Sequence, residues 1–340
     1  MSVQAAFFGL AGTEVSADER AFFKAVQPAG FILFARNCAS PAQVKALCDD
    51  LRSLCSIQPA PILIDQEGGR VARLRPPHWL DHPPAAVIGQ LYAQDPAKGL
   101  AAANAQAALI GAELAHLGIT VDCLPVLDVG FAHTHAVIGD RAYSSDPDTV
   151  ALLGQAAIDG LQSAGVVPVI KHIPGHGRAM ADSHLDLPVV DAPRDELAAI
   201  DFAPFVAARA APMAMTAHIL YTALDKHNCA TLSPHIIGDI IRKHIGFEGL
   251  LMTDDLSMKA LGGGFSERTE KALAAGCDIV LHCNGDMAEM EDVAHGLSAL
   301  SSEAMVRLDR AMQIAAHSDT LDIPSLLARR NALLEDVWTA

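Results

Sequence analysis

Positive charge is scarce in this chain of 340 residues, which carries 24 Lys and Arg against 40 Asp and Glu, for a formal net charge of −16. Binding to a nucleic acid depends on basic side chains that contact phosphates, so we expect no nucleic-acid partner. Apolar residues make up 51% of the chain. No uninterrupted apolar run is long enough to cross a bilayer, however, and we expect no membrane association.

Cysteine pairs are also lacking. The seven cysteines are odd in number, and no two of them form a CxxC pair. Cys123, Cys277 and Cys283 stand in apolar runs, which is typical of small core residues in a reducing compartment. The stretch 3–10 is apolar, yet no basic residue precedes Arg20, whereas a secretory signal begins with a charged segment. We therefore expect a cytoplasmic protein.

Short apolar runs recur along the chain with helical patterns between them. The eight candidate strands are residues 5–10, 31–35, 61–65, 121–126, 166–171, 212–217, 249–254 and 277–283. One intervening segment has apolar residues at steps of three and four, namely Leu100, Ala103, Ala107, Ile110, Leu114 and Leu117, which predicts a helix. Gly118 follows them as the expected end of that helix. Strands alternating with helices predict right-handed βαβ units and a parallel sheet.

Eight such units fit an α/β fold of the (β/α)8 TIM-barrel type, which takes about 250 residues. We predict a single barrel domain over residues 1–340, with C-terminal helices at about 303–340 packing on the barrel. The alternative is an open doubly wound sheet, which typically carries GxGxxG after its first strand. The segment Gly9-Leu10-Ala11-Gly12-Thr13 does not match that pattern.

Polar residues cluster where the predicted strands end. These residues are Asp65, Lys171, His172, His218, Asp254, Asp255 and His282. Charged side chains that end apolar strands are costly to bury without a purpose, and the carboxyl ends of barrel strands form the floor of barrel active sites. The alternative for any one Asp is that it caps the following helix. Together, the set favours a site.

Asp182 and His184 stand two positions apart in a Gly/Pro-rich loop after the fifth strand. A carboxylate beside an imidazole fixes its tautomer and raises its basicity, as a general acid/base requires. Spacing alone favours a solvated surface loop, because so short a pattern has a high false-positive rate.

A metal-dependent hydrolase is the rival interpretation. His172, His218 and His282 at strand ends, with Asp254, are residue types that bind metals. Such barrels carry His-x-His on the first strand, where this chain has none; the match at His133-Thr134-His135 follows the fourth strand instead. We expect no metal and no cofactor.

Four segments together resemble glycoside hydrolase family 3, and specifically its bacterial β-N-acetylglucosaminidases of peptidoglycan recycling. They are Asp65-Gln66-Glu67-Gly68-Gly69-Arg70-Val71-Ala72-Arg73, Ile138-Gly139-Asp140-Arg141-Ala142-Tyr143-Ser144, Lys171 to His184 and Thr253-Asp254-Asp255-Leu256-Ser257-Met258. They occur in the family's order, from the third strand to the seventh. The resemblance raises Asp182 and His184 from a loop pattern to an expected acid/base pair.

The resemblance implies roles for these residues. Asp254 would be the nucleophile, and His184, oriented by Asp182, would be the acid/base in place of the usual second carboxylate of retaining glycosidases. The hydroxyls of a terminal N-acetylglucosamine would be held by Asp65, Arg73, Arg141, Lys171 and His172. The implied reaction is hydrolysis that releases this sugar from muropeptides containing 1,6-anhydro-N-acetylmuramic acid. The sequence leaves the oligomeric state open, with a monomer favoured.

Three alternatives stay open at this point. A phosphorylase would share the same covalent intermediate, a metal-dependent barrel hydrolase would use the histidines, and a sugar-binding protein would lack turnover. Two departures, Gln66 where the family commonly has His and Ile173 where it commonly has Phe, stand outside the catalytic positions and bear on fine substrate preference.

Overall fold

The computed structural model describes residues 2–131, 137–179, 183, 186–316 and 321–338. Eight parallel strands close into a barrel in sequential order, with the first paired to the eighth. The strands are β1 (Gln4–Phe8), β2 (Pro28–Leu33), β3 (Ile62–Ile64), β4 (Val121–Asp122), β5 (Val167–Ile173), β6 (Met213–Thr216), β7 (Leu250–Asp255) and β8 (Ile279–His282). The predicted (β/α)8 fold is confirmed.

Helical segments surround the strands. The helices are Ala17–Val26, Pro41–Leu54, Ala85–Gln94, Pro96–Leu117, Pro147–Ser163, Arg194–Glu196, Ala203–Ala207, Phe265–Ala275, Met287–His295, Ser302–Ala316 and Ile323–Leu334, with π-helical segments Leu197–Asp201 and Ile236–Ile245. Short 3-10 turns cover Ala35–Asn37, Gly139–Arg141 and Ala230–Leu232.

The helix predicted from the apolar steps spans Pro96–Leu117. The Asp95 side chain accepts from the backbone N–H of Lys98 at its start, and Gly118 ends it at φ 84°, a left-handed conformation that suits glycine. It packs on Pro147–Ser163, where a side chain at Gly160 would meet the Asn104 carbonyl. The two helices therefore approach closely.

Strand β4 is shorter than predicted. Its regular pairing ends at Asp122, and the chain then pairs irregularly with β5 through a bridge between Val126 and Lys171. Pro125 has no N–H to donate, which interrupts the ladder, although its carbonyl still accepts from Lys171 N at 3.2 Å. The chain nevertheless continues along β5 to the carboxyl end of the barrel.

Two small sheets follow the carboxyl ends of barrel strands. Gln66–Gly68 pairs antiparallel with Val71–Ala72 after β3, and Val189–Val190 pairs with Leu220–Tyr221. The barrel strands themselves are almost wholly buried, as are the predicted core residues at positions 123, 277 and 283. The eight strands and the helices around them form the scaffold on which the rim loops stand.

The C-terminal helix Ile323–Leu334 packs on the outer helix Pro96–Leu117. Its Arg330 is 1% exposed, stacks on Trp338 at 4.8 Å and donates to the Asp81 carbonyl at 3.1 Å. The end of the described chain is thus tied to the loop that follows β3. Among the described residues, no helix combines the length and apolarity needed to span a membrane.

Candidate active site

A pocket of about 370 Å³ opens at the carboxyl ends of the strands. Both charged and apolar side chains line it. The charged and polar lining residues are Asp65, Glu67, Arg70, Arg73, Arg141, Lys171, His172, Asp254 and Asp255, and the apolar ones include Phe34, Met215, Met258 and Leu281. The expected sugar-binding residues and most of the strand-end cluster therefore meet in one place, as barrel topology requires.

One wall of the pocket is an ion-pair network. Lys171 Nζ lies 2.8 Å from Asp65 Oδ1 and 2.7 Å from Glu67 Oε1. Arg73 donates to Asp65 Oδ2 at 2.8 Å. Arg141 binds Glu67 in bidentate geometry, with Nε 2.8 Å and Nη2 2.7 Å from the two carboxylate oxygens. Each carboxylate is therefore shared by two cations, which fixes the orientation of all five side chains.

The network keeps its members charged at neutral pH. Burial opposes ionisation of Glu67, but attraction to Arg141 and Lys171 outweighs burial and lowers its pKa to about 2. The pKa of Asp65 is likewise lowered, because Lys171 and Arg73 outweigh burial. Burial would lower the pKa of Lys171, but the two carboxylates raise it above its ordinary value. The pocket wall thus presents fixed cations and anions to a ligand.

Glu67 reaches this position through the tight turn that follows it. Gly68 and Gly69 have φ of 100° and 56°, which other residues rarely adopt. A side chain at Gly68 would also come within 2.4 Å of the Pro83 carbonyl oxygen. The Gln66 side chain accepts from the backbone N–H of Arg73 at 2.9 Å, so the hairpin delivers both Glu67 and Arg73 to the pocket.

His172 pairs with Asp128, which is wholly buried behind the pocket wall. Their side chains lie 2.7 Å apart, from Nδ1 to Oδ2. Burial opposes ionisation of Asp128, but His172 and the hydrogen bonds outweigh burial and lower its pKa. A buried carboxylate therefore backs an imidazole that lines the pocket.

Asp254 and Asp255 occupy different environments at the end of β7. Asp254 is half-buried in the pocket, and its Oδ1 accepts from the backbone N–H of Asp255 at 2.8 Å. The Asp255 carboxylate accepts from the backbone N–H groups of Ser257 at 3.0 Å and Cys283 at 3.1 Å. Both aspartates line the pocket, and Asp255 also joins the turn after β7 to the end of β8.

His218 and His282 form hydrogen bonds near the strand ends and do not line the pocket. His218 is buried, with Nδ1 2.7 Å from Thr231 Oγ1 and Nε2 3.0 Å from the Asp255 carbonyl oxygen. His282 Nε2 lies 3.1 Å from Glu289 Oε2. Neither histidine is among the described residues that line the pocket. Within the described part of the chain, no three His, Cys, Asp or Glu residues are grouped so as to hold a metal ion.

The expected acid/base pair, Asp182 and His184, lies outside the described residues, as does the His133-Thr134-His135 segment. Ser183 is described: its Oγ lies 3.3 Å from His176 Nε2, and its carbonyl accepts from Ala260 N at 3.2 Å. The chain at position 183 thus lies against the loop that follows β7.

Sequence reasoning missed two charged residues of the site. Glu67 stands in the segment that resembles the family, yet the sequence analysis assigns it no function. Its charge so soon after a buried strand is the signal that could have identified it. Asp128 interrupts the apolar run Val126-Leu127-Asp128-Val129. A lone carboxylate in such a run predicts a buried, paired charge.

Comparison with known proteins is consistent with this geometry. Residues 3–316 match the family described as the glycosyl hydrolase family 3 N-terminal domain. A β-hexosaminidase of Stenotrophomonas maltophilia is 37% identical over 326 residues, which cover 92% of this chain and 95% of the relative. One from Alkalilimnicola ehrlichii is 40% identical over 280 residues, covering 81% of this chain and 79% of the relative.

Solved structures show the same likeness. Native NagZ from Neisseria gonorrhoeae superposes with a TM-score of 0.86 at 31% identity, covering 99% of this chain and 97% of that one. The same enzyme in complex with N-trifluoroacetyl-D-glucosamine gives a TM-score of 0.86 at 30% identity, covering 99% and 98%.

Proposed function

The chain belongs to glycosyl hydrolase family 3, and from that premise we propose that it is a retaining exo-β-N-acetylglucosaminidase. The observation that carries the proposal is the pocket in which Asp254 faces a wall of fixed charged hydrogen-bonding groups. The proposed substrate is a muropeptide that contains 1,6-anhydro-N-acetylmuramic acid, from which the terminal N-acetylglucosamine is released.

The pocket suits one terminal sugar. Ligand sites range over about 300–1,000 Å³, and this one, at about 370 Å³, lies near the lower limit. Asp65, Arg73, Arg141, Lys171 and His172 line it. Charged groups that hydrogen-bond several hydroxyls orient a sugar ring strongly. Both features support exo cleavage.

In the proposed mechanism the Asp254 carboxylate attacks C1 of the sugar while His184 gives a proton to the leaving glycosidic oxygen. The C1–O bond breaks, and a glycosyl ester forms on Asp254. His184, oriented by Asp182, then takes a proton from water, which attacks C1 and releases the sugar with net retention. Asp65 and Glu67 hold Lys171 and Arg141 in place through both steps.

The natural substrate and setting belong to the proposal as well. The relatives' names give a β-hexosaminidase activity to those proteins, and NagZ binds an N-acylglucosamine analogue. The family resemblance extends this to cell-wall recycling in the cytoplasm. We also propose that residues 1–340 form one catalytic domain that works as a monomer.

Release of nitrophenol from nitrophenyl β-N-acetylglucosaminide tests the proposal. We expect turnover by the wild-type protein, loss of turnover in Asp254→Ala, and little turnover of the matching β-glucoside. Analysis of the product formed in phosphate buffer distinguishes water from phosphate as the acceptor of the sugar. Free N-acetylglucosamine is expected, whereas the sugar 1-phosphate as the main product would contradict the hydrolase assignment.

A further inference from the structure

Asp128 is a buried carboxylate that lies behind the pocket. It follows β4, and its side chain has no exposed surface. The backbone pairing that extends β4 along β5 places it there, because Leu127 N–H donates to the Lys171 carbonyl at 2.7 Å. Asp128 is not among the described residues that line the pocket, so any effect on a ligand passes through a neighbour.

Each oxygen of Asp128 has a distinct set of partners. Oδ2 lies 2.7 Å from His172 Nδ1, while Oδ1 accepts from the backbone N–H groups of His172 at 3.2 Å and His176 at 2.6 Å. An ionised carboxylate only accepts hydrogen bonds. Because the pKa of Asp128 is lowered, it is ionised at neutral pH, and His172 Nδ1 must carry a proton.

A proton fixed on Nδ1 determines what His172 offers to the pocket. The imidazole's other nitrogen, Nε2, is then the ring atom available to a ligand, and the ring cannot turn without breaking the bond to Asp128. A neighbouring ring, His176, packs edge-on at 5.3 Å, and burial lowers its pKa to about 4, so it remains neutral. His172 is therefore held in one tautomer and one orientation.

We propose that Asp128 is a positioning residue that fixes the tautomer and orientation of His172, so that Nε2 meets a hydroxyl of the bound sugar. The sugar is that of the proposed function, on which this inference rests. Through Oδ1, which accepts from two backbone N–H groups, Asp128 holds the first turn of the loop after β5. Through Oδ2, which bonds to the His172 ring, it sets the contact with the ligand.

Asp128→Asn changes the bond to the His172 ring while keeping an acceptor for the backbone N–H groups. The Asn carbonyl keeps an acceptor for the backbone N–H groups, but its NH2 group faces His172 Nδ1 and can only donate. In protein labelled with ¹⁵N-histidine at about pH 8, where an ordinary imidazole is neutral, we expect an Nδ1–H signal from His172 in the wild type and its loss in Asp128→Asn. The spectrum of His172→Gln assigns the signal.

Kinetics provide the second readout. A polar group left unsatisfied at the ligand contact corresponds to roughly a 10- to 100-fold loss in kcat/KM, which we expect for Asp128→Asn equally on a nitrophenyl glycoside and on a disaccharide. In the His172→Gln background the same change should cost no more than about threefold, because coupled residues are non-additive. Asp278→Asn is the control, since that buried carboxylate binds Arg242 and Arg307 at the opposite end of the barrel. It should leave kcat/KM near wild type.

Several results would overturn the inference. One is an Nδ1–H signal that persists in Asp128→Asn, and another is an equal loss with and without His172. A larger loss on the disaccharide would make His172 the acid catalyst. If Asp128→Asn fails to fold, the wild-type protein still tests the inference by itself. Absence of the Nδ1–H signal of His172 from the wild type would overturn it. A wild type that turns over no N-acetylglucosaminide contradicts the proposed function, while the tautomer measurement still tests Asp128.

Discussion

Replacing Glu67 by glutamine would remove the carboxylate that Arg141 and Lys171 share. With its oxygen at the position of Oε1 the glutamine could still accept from both cations, but its NH2 group would then face the Arg141 Nε–H donor, which lies 2.8 Å from Oε2. The side chain of Glu67 is only 5% exposed, so solvent screens the pair weakly. Lowering its pKa from 4.5 to about 2 corresponds to about 3 kcal/mol of stability at neutral pH.

We therefore expect Glu67→Gln to lower the free energy of unfolding in urea by about 3 kcal/mol, within the range for breaking buried ion pairs. It should also raise KM, because Arg141 and Lys171 lose their fixed orientation. Glu291→Gln, an exposed change on an outer helix, is the control and should shift stability by no more than about 0.5 kcal/mol.

The pH dependence of the stability difference between wild type and Glu67→Gln gives an independent test. The folded pKa of Glu67 lies below its ordinary value, so its stabilisation is fully present above about pH 4.5 and is lost as pH falls toward about 2. The stability difference between wild type and Glu67→Gln should shrink from about pH 5 to about pH 3. A variant as stable as wild type at pH 7, with unchanged KM, would refute the reasoning.

Three further outcomes are expected. His184→Ala should lower kcat/KM by about 10²–10⁴-fold on a disaccharide but far less on a nitrophenyl glycoside, and Asp182→Ala should show the same pattern more weakly; equal losses on both substrates would make His184 a binding residue. Asp254→Ala should abolish turnover, whereas Asp255→Ala should fold and retain measurable activity; the reverse result would exchange their roles. Arg330→Ala should reduce the free energy of unfolding by about 2–4 kcal/mol, as urea denaturation would show; an unchanged midpoint would contradict its role in tying the C-terminal helix to the loop after β3.

The barrel could be predicted because its signal is local. Each strand is a short apolar run buried on both faces, and parallel strands buried in this way read as continuous hydrophobic segments. The irregular end of β4 could not be predicted so well, since Leu124 and Pro125 continue the apolar run but the proline interrupts the hydrogen-bond ladder. Apolarity records burial, whereas strand bounds depend on hydrogen bonds.

The site was predictable in its strand-end residues, whereas the partners of its supporting residues were not. Asp65, Lys171 and Asp254 stand at the ends of predicted strands, and the topology of a barrel brings them together. Glu67 and Asp128 gain their roles from partners about 75 and 45 positions away along the chain. Sequence spacing carries no record of such contacts, so only the folded chain pairs these charges.

Mass spectrometry of a trapped intermediate tests the central claim most directly, which is that Asp254 is the nucleophile of a double displacement. A slow fluorinated N-acetylglucosaminyl donor should add the mass of one sugar to the protein, and digestion should locate it on the peptide that contains Asp254. An active protein that stays unlabelled and is blocked tightly by a thiazoline analogue would contradict the account, because the sugar's own acetamido group would then be the nucleophile.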